Sequence, residues 1–116
     1  MNKATKTKAM AGIRTFLERR GFEIVEDGWK SGKLHVDFIA RDEDDLVFVD
    51  CKLYEGAEGG FPEDKPSRAE YEKAAAAYLA SYDGEQSMIR FDIVSMLLLA
   101  NDRAMLRHYR NALSAA

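Results

Sequence analysis

The chain has 116 residues, of which 47% are hydrophobic and 32% are charged, and its formal net charge is −3. This length suits one domain with one core, no apolar run approaches the roughly 20 residues of a membrane-spanning helix, and the single cysteine excludes an intrachain disulfide or a cysteine-based zinc site. We therefore expect a single domain over residues 1–116 with no membrane partner, located in the cytoplasm because nothing after the basic N-terminus resembles a secretory signal.

Charge is unevenly distributed along the chain. Residues 1–41 carry nine Lys or Arg and five Asp or Glu, residues 42–87 carry four and thirteen, and residues 88–116 carry four and two. An acidic middle between two basic flanks fits a phosphate backbone held around an acidic metal site, and it also fits helices with ordinary solvated faces. The low net charge argues against a general nucleic-acid binder.

The first third of the chain predicts a helix and a short strand. Residues 5–20 have helical periodicity, and Gly21 is a natural stop for that helix. Residues 22–26 are rich in strand-forming side chains, and the glycines within 27–32 predict a turn around Trp29 and Lys30. The apolar face of the predicted helix consists of Met10, Ile13, Phe16 and Leu17.

A predicted hairpin follows, with strands at 35–41 and 46–54 joined by the acidic turn 42–45. If the hairpin is symmetric about its turn, Asp37 lies directly opposite Asp50. The same register brings apolar residues together on the other face, which supports it. These pairs are Leu34 with Leu53, Val36 with Cys51, Phe38 with Val49 and Ala40 with Val47.

The polar face of this hairpin gathers unusual charges. Side chains alternate along a strand, so Asp50 and Lys52 point the same way and His35 falls opposite Lys52. Two carboxylates facing each other cost up to about 1 kcal/mol, which a divalent cation would offset. The alternative is an ordinary half-exposed hairpin with a charged wet face.

The rest of the chain predicts a loop and three further elements. Residues 55–66 form the loop, and Ser67 with Glu70 is a capping-box pattern that begins a helix through 71–82. Residues 88–99 suit a buried strand. A last helix follows a cap at Asn101 and Asp102, with its packing face formed by Met105, Tyr109, Ala112 and Leu113. The predicted fold is α/β, with an αβββαβ core, a mixed sheet and a C-terminal helix.

This order, with Asp on the second strand and Asp-x-Lys on the third, resembles the restriction-endonuclease-like PD-(D/E)xK superfamily. More narrowly, the chain is similar to the YraN-like predicted nucleases related to Holliday-junction resolvases. The matching segments are 16–22 (FLERRGF), 36–42 (VDFIARD), 46–52 (LVFVDCK), 77–79 (AYL) and 90–94 (RFDIV).

The resemblance implies a nuclease-type site and a nucleic-acid partner, most simply branched DNA. Asp37 and Asp50 would bind Mg²⁺ or Mn²⁺, and the backbone carbonyl of Cys51 would add an oxygen ligand. Lys52 would position the attacking hydroxide, so Asp37, Asp50 and Lys52 are the expected catalytic residues.

The chain departs from the family pattern at several positions. It has Lys33-Leu34-His35 where Gly-Gly-Glu is usual, Met10 near the place of a helix Glu, and Tyr54 where a basic residue is frequent. His35 could replace a lost ligand and would favour Mn²⁺, or it could be ordinary polar surface.

The sequence leaves further hypotheses open. Basic residues of the first third are candidates for nucleic-acid binding, namely Lys8, Arg14, Lys30 and Lys33. Alternatively, the chain is a catalytically degenerate module that binds nucleic acid or protein, or a homodimer built through the apolar residues 96–99.

Overall fold

The computed structural model describes residues 1–56, 68–84 and 88–112. Its elements in chain order are α1 (Lys3–Arg19), β1 (Glu23–Ser31), β2 (Leu34–Asp42), β3 (Asp45–Glu55), α2 (Arg68–Leu79), β4 (Met88–Leu98) and β5 (Ala104–Tyr109). The strands form one sheet in the order β1-β2-β3-β4-β5. β3 and β4 are parallel, because α2 provides the crossover between them, and the other neighbours are antiparallel. The predicted α/β fold with a mixed sheet is confirmed.

Helix α1 covers one face of the sheet. It begins two residues earlier than predicted because the Asn2 side chain caps it, accepting a hydrogen bond of 2.8 Å from the Thr5 N–H. Its buried stripe of Ala9, Ile13 and Leu17 packs in a core with inward side chains of β2, β3 and β4. This core forms the larger apolar layer of the protein.

Helix α2 covers the opposite face. Its small residues Ala74 and Ala75 permit close approach to the sheet, and the Tyr78 ring packs edge-on against Phe48. The predicted helix is confirmed over Arg68–Leu79, whereas Ser67 of the predicted cap lies outside the described residues. Residues 57–66 of the predicted loop also lie outside them.

The turn predicted around Trp29 and Lys30 is wrong, because both residues belong to β1. Strand β1 pairs with β2 as far as Ser31 opposite Leu34, and the connection between them is only two residues long. Gly28, with φ of 73°, is accommodated inside the strand rather than in a turn. The result is a longer β1–β2 hairpin than the sequence predicts.

The predicted C-terminal helix is also wrong, since residues 104–109 form the edge strand β5. Asn101 and Asp102 adopt φ values of 62° and 57°, which suit a hairpin turn and not a helix cap. β5 pairs antiparallel with β4, and its inward residues Leu106 and His108 lie opposite Met96 and Val94. Inward-facing and outward-facing side chains therefore alternate along this segment, as in a strand.

A buried ion cluster joins the strands at the end of the sheet near the β2–β3 turn. The Arg90 guanidinium donates two hydrogen bonds of 2.9 Å to Asp92 and contacts Asp42 at 2.9 Å and Asp45 at 3.0 Å. Asp92 also contacts His108 Nε2 at 2.8 Å. Because this cluster lies on the α1 face, it is separate from the polar face of the β2–β3 hairpin.

Neither of the two described helices is long and apolar enough to cross a membrane.

Candidate functional site

Strands β2 and β3 separate at Asp37 and Asp50. The predicted register is confirmed from Asp42 opposite Asp45 to Phe38 opposite Val49, where the ladder between the two strands ends. Beyond that level β2 pairs with β1, and β3 pairs with β4. We call this point of separation the fork.

The fork corrects part of the predicted hairpin. Leu34 with Leu53, and Val36 with Cys51, are not pairs of the β2–β3 ladder. Phe38 packs in the core under α1, while Val36 packs under α2, so β2 twists at the intervening Asp37. The apolar pairing predicted for all four positions therefore holds only for Phe38 with Val49 and for Ala40 with Val47.

Asp37 is held in the fork by two contacts. Its Oδ2 accepts a hydrogen bond of 2.8 Å from the backbone N–H of Cys51, across the gap between the strands. Its Oδ1 lies 3.2 Å from Nε2 of His35, which stands two residues earlier on the same face. The Asp37 side chain is only 18% exposed, so these contacts fix the orientation of its carboxylate.

Asp50 approaches Asp37 from β3 and has its own two partners. Its Oδ2 lies 3.2 Å from Nζ of Lys52 and accepts a hydrogen bond from the Tyr71 hydroxyl in the first part of α2. His35, Asp37, Asp50 and Lys52 thus form one connected group of contacts. The predicted pairs Asp37 with Asp50 and His35 with Lys52 are not part of the β2–β3 ladder, and His35 is instead the partner of Lys30 on β1. Tyr71 was missed, because the sequence gives no register between α2 and the strand it crosses.

The two carboxyl groups influence each other. Burial raises the pKa of Asp37, the hydrogen bond from the Cys51 N–H opposes the rise, and the charge of Asp50 adds to it. Burial and the hydrogen bond to Asp50 likewise raise the pKa of Tyr71, so this phenol stays protonated at neutral pH and donates a hydrogen bond to Asp50. The site therefore pairs adjacent acids whose repulsion a bound cation would relieve.

Cys51 contributes to this region through its backbone. Its side chain packs against the core under α1, and burial raises the pKa of the thiol, with further increases from Asp37 and Asp50. A protonated, half-buried thiol is a small apolar group rather than a nucleophile or a metal ligand. The ligand role predicted for the Cys51 carbonyl stays a prediction.

The donor set suits Mg²⁺ or Mn²⁺ better than a metal that needs many protein ligands. Among the described residues, no three His, Cys, Asp or Glu side chains are grouped to hold an ion. Mg²⁺ is commonly held by one or two carboxylates and keeps several waters, so Asp37 and Asp50 are sufficient oxygen donors for it. His35 is occupied with Asp37 and 56% exposed, and its predicted ligand role stays a prediction.

The four cations predicted to bind nucleic acid fall into two groups. Lys30 and Lys33 lie on or beside the β1–β2 hairpin, next to the fork, with exposed side chains. Lys8 and Arg14 lie on α1 and contact Asp102 at 3.6 Å and Asp27 at 2.6 Å. Of these two, Arg14 also adjoins the candidate site, because Asp27 pairs with Phe38, next to Asp37.

Two residues near the candidate site, Met10 and Trp29, are packed against other side chains. Met10 lies against the core under α1, so the helix position near the missing Glu contributes apolar contact. Trp29 packs edge-on against Tyr78 at 5.5 Å between ring centroids. A cavity of about 790 Å³ between α1 and the β4–β5 hairpin is lined by neither carboxylate of the fork.

Comparison with known proteins places these residues in a family. Residues 11–96 match the model of the uncharacterised protein family UPF0102, a range that includes the fork and Tyr71 and ends before β5. The chain is 33% identical over 98 residues to a UPF0102 protein of Beutenbergia cavernae, covering 82% of this chain and 83% of the relative. A UPF0102 protein of Nocardia farcinica is 34% identical over 98 residues, covering 82% and 77%. One of Dictyoglomus thermophilum is 34% identical over 86 residues, covering 72% and 73%.

Proposed function

This chain belongs to the uncharacterised protein family UPF0102, and we propose that it is a divalent-metal-dependent endonuclease that hydrolyses phosphodiester bonds in DNA. One observation carries the proposal. Asp37 and Asp50 stand side by side at the fork, and the Lys52 ammonium lies 3.2 Å from Asp50 on the same face. Two oxygen donors beside a cation form the minimum set for metal-assisted attack on a phosphodiester.

The proposal assigns a separate role to each side chain. Asp37 and Asp50 would hold Mg²⁺ or Mn²⁺ with the Cys51 carbonyl, and the ion would supply an acidified water and neutralise phosphate charge. Lys52 orients the attacking oxygen and offsets the charge that develops on the phosphorus-bound oxygens. Tyr71 fixes the rotamer of Asp50 through its hydrogen bond. The Asp37 to Cys51 hydrogen bond keeps the other carboxylate in place.

Branched DNA is the substrate class that the resemblance to Holliday-junction resolvases suggests. The described residues support this choice only through the position of the site. The fork lies where two strands diverge, beside the β1–β2 hairpin, and both carboxylates keep part of their surface exposed. A phosphodiester group can therefore approach them from outside the core.

A second candidate is a catalytically degenerate module of the same fold that binds nucleic acid or protein. The observation that favours it is the contact between His35 Nε2 and Asp37 Oδ1, because this oxygen already has a partner within the protein. In this alternative, the Lys52 ammonium replaces the metal as the source of positive charge near the two carboxylates.

Metal binding and cleavage together test the proposal. We would titrate Mn²⁺ into the wild-type protein and the Asp50→Asn variant, and then assay four-way-junction, linear duplex and single-stranded DNA. We expect the variant to lose tenfold or more in Mn²⁺ affinity and nearly all cleavage, since one of two carboxylates is gone. Asp102→Asn, at an exposed surface ion pair, is the matched control and should retain both.

The outcomes separate the two candidates. Equal Mn²⁺ affinity and equal cleavage in the wild type and Asp50→Asn would refute the nuclease proposal. Salt-dependent DNA binding by the wild type, without cleavage at any Mn²⁺ concentration, would favour the degenerate module.

A further inference from the structure

The β1–β2 hairpin forms one branch of the fork, and the paired strands β3 and β4 form the other. From Asp37 to Leu34, β2 is paired with β1 and no longer with β3. The connection after Ser31 turns at Gly32, which has φ of 60°. The segment 27–37 is therefore a two-stranded arm that begins at the candidate site. We refer to it as the arm.

One face of the arm is anchored to α2. Trp29 and Val36 are cross-strand partners, and both belong to the apolar cluster that includes Tyr78. The Trp29 and Tyr78 rings meet edge-on with centroids 5.5 Å apart. Leu34 also packs against this cluster. An isolated two-stranded hairpin is marginally stable in water, so this packing is what holds the arm in place.

The other face of the arm carries polar and cationic side chains. Lys30 is the cross-strand partner of His35, and alternation along β2 puts both on the same face as Asp37. Gly28 falls opposite Asp37 in this register, so no side chain covers the carboxylate from β1. Lys33 stands at the tip. The cationic face thus continues directly from the candidate site.

Lys30 and Lys33 differ from Lys8 and Arg14 of α1, the two other cations considered for nucleic-acid binding. Within the described parts of the chain, Lys30 and Lys33 have no ion-pair partner, and their side chains are exposed. Arg14 is instead paired with Asp27 at 2.6 Å, and Lys8 with Asp102 at 3.6 Å. The ammonium groups of the arm therefore have their full capacity for an external anion.

We propose that the arm binds the phosphate backbone of the nucleic acid on one side of the scissile bond, with Lys30 and Lys33 each contacting a phosphate. This inference rests on the proposed nuclease function and names the surface that holds the substrate. A strand rises about 3.3 Å per residue, so Lys30, opposite His35, lies about 7 Å from the level of Asp37, and Lys33 about 13 Å from it. Phosphates along one strand of B-form DNA are separated by at least the axial rise of about 3.4 Å per nucleotide, so the contacts fall within about two and four nucleotides of the cut.

A polyanion with regularly spaced charges fits this geometry better than an acidic peptide. The two ammonium groups are displaced along a single strand direction that points away from the fork. A phosphodiester placed between Asp37 and Asp50 would continue in that direction as further phosphates. An acidic peptide could bind the arm without reaching the fork. If the arm bound only a peptide, substitutions of Lys30 and Lys33 would leave the affinity for DNA unchanged.

The salt dependence of DNA binding tests this proposal. We would measure binding of a short fluorescent duplex to the wild type and to Lys30→Gln/Lys33→Gln in EDTA, between about 50 and 200 mM salt. Each lost phosphate contact lowers the slope of log affinity against log salt by about 0.9, so the double variant should lose about 1.8. The control Arg19→Gln/Lys73→Gln removes the same charge from exposed positions on the two helices, and its slope should change far less.

Neutral linkages give a second measurement. Single methylphosphonates placed in turn at each of the first four or so phosphates beside the cleavage position should weaken wild-type binding at two positions, and should cause no further loss there in the Lys30→Gln/Lys33→Gln variant. A salt slope equal to that of the wild type, or equal sensitivity of both proteins to the neutral linkages, would overturn the arm proposal. A wild-type protein that neither binds nor cleaves DNA would overturn the nuclease function itself, so the two failures are distinguishable.

Discussion

The carboxylate of Asp37 accepts a hydrogen bond of 2.8 Å from the backbone N–H of Cys51, across the gap where β2 and β3 separate. A backbone donor left without a partner at this half-buried position would cost about 1–3 kcal/mol. The Asp37 side chain satisfies it and so permits the ladder to end without an orphaned amide. Asp37 is therefore part of the fold as well as part of the candidate site.

This double role predicts that Asp37→Asn stabilises the protein at neutral pH. The Asn carbonyl can still accept the Cys51 N–H, while the repulsion between Asp37 and Asp50 is removed. Relief of a facing like-charge pair is worth up to about 1 kcal/mol, or a few degrees in Tm. Chemical denaturation of the wild type and the variant at pH 7 would measure the difference.

The pH dependence of this gain has a definite sign. Because the folded-state pKa of Asp37 is raised above its ordinary value of 3.8, the folded protein holds this proton more tightly than the unfolded chain. Wild-type stability therefore falls as pH rises from 3.8 through the folded-state pKa, and the advantage of Asn should vanish below that window. A variant less stable than the wild type at pH 7 would contradict the prediction, with Asp102→Asn as the surface control.

Lys52→Gln should separate metal binding from turnover if the protein is a nuclease. The Lys52 ammonium contacts Asp50 but is not an oxygen donor, so Mn²⁺ affinity should change only a few-fold. The charge it supplies near the reacting phosphate is lost, and single-turnover cleavage should slow by about 10²–10³. Lys73→Gln, on the solvent face of α2, should cleave at the wild-type rate. An unchanged rate in Lys52→Gln would remove Lys52 from the proposed mechanism.

Tyr71→Phe tests whether the hydroxyl positions Asp50. Tyr82→Phe is a matched control. Tyr82 lies just after the end of α2, and its hydroxyl accepts a hydrogen bond from Arg41, away from the fork. Each change should cost about 1 kcal/mol of stability through one lost hydrogen bond. Only Tyr71→Phe should weaken Mn²⁺ binding, by about tenfold, as expected when a partner that orients a ligand is removed. Calorimetric titration that gave the same Mn²⁺ affinity in both variants would assign Tyr71 a purely structural role.

The hairpin register could be predicted from sequence because a slip of one residue would expose every apolar side chain between Phe38 and Val49. The fork could not be predicted, since polar and apolar residues continue to alternate in the sequence through Asp37. This alternation gives no sign that the β2–β3 ladder stops there. Tyr71 could not be placed either, because it reaches Asp50 by a helix that crosses the sheet after a long connection. Tertiary packing determines both features.

The C-terminal strand shows a different reason for failure. Met105 and Tyr109 are four residues apart and both apolar, which indicates a helix, yet they are the exposed residues of β5. The residues that face the core are Leu106 and His108, and a histidine does not count as apolar in a sequence pattern. The His108 side chain is buried, with its Nε2 2.8 Å from the Asp92 carboxylate. Sequence spacing does not reveal this contact.

The ion cluster around Arg90 predicts where the fold is most sensitive to loss of a single charge. Asp92 is 1% exposed and accepts two hydrogen bonds from the Arg90 guanidinium, while the backbone of Asn111 and the His108 ring provide two more contacts. Removal of one partner from such a buried pair leaves the other charge incompletely compensated. This cost is separate from function, because Asp92 contacts none of the described residues gathered at the fork.

Asp92→Asn should therefore destabilise the protein by about 3 kcal/mol at pH 7, whereas Asp27→Asn, whose side chain is 56% exposed, should cost less than about 1 kcal/mol. Burial opposes ionisation of Asp92, but hydrogen bonds from His108, Arg90 and the Asn111 amide lower its pKa below the ordinary value of 3.8. Its stabilisation is complete above 3.8 and is lost as pH falls through the folded-state pKa, so the gap between wild type and Asp92→Asn should narrow in acid. Urea denaturation from neutral pH to below 3.8 measures this, and a gap that stayed constant would show that packing, not charge, makes Asp92 necessary.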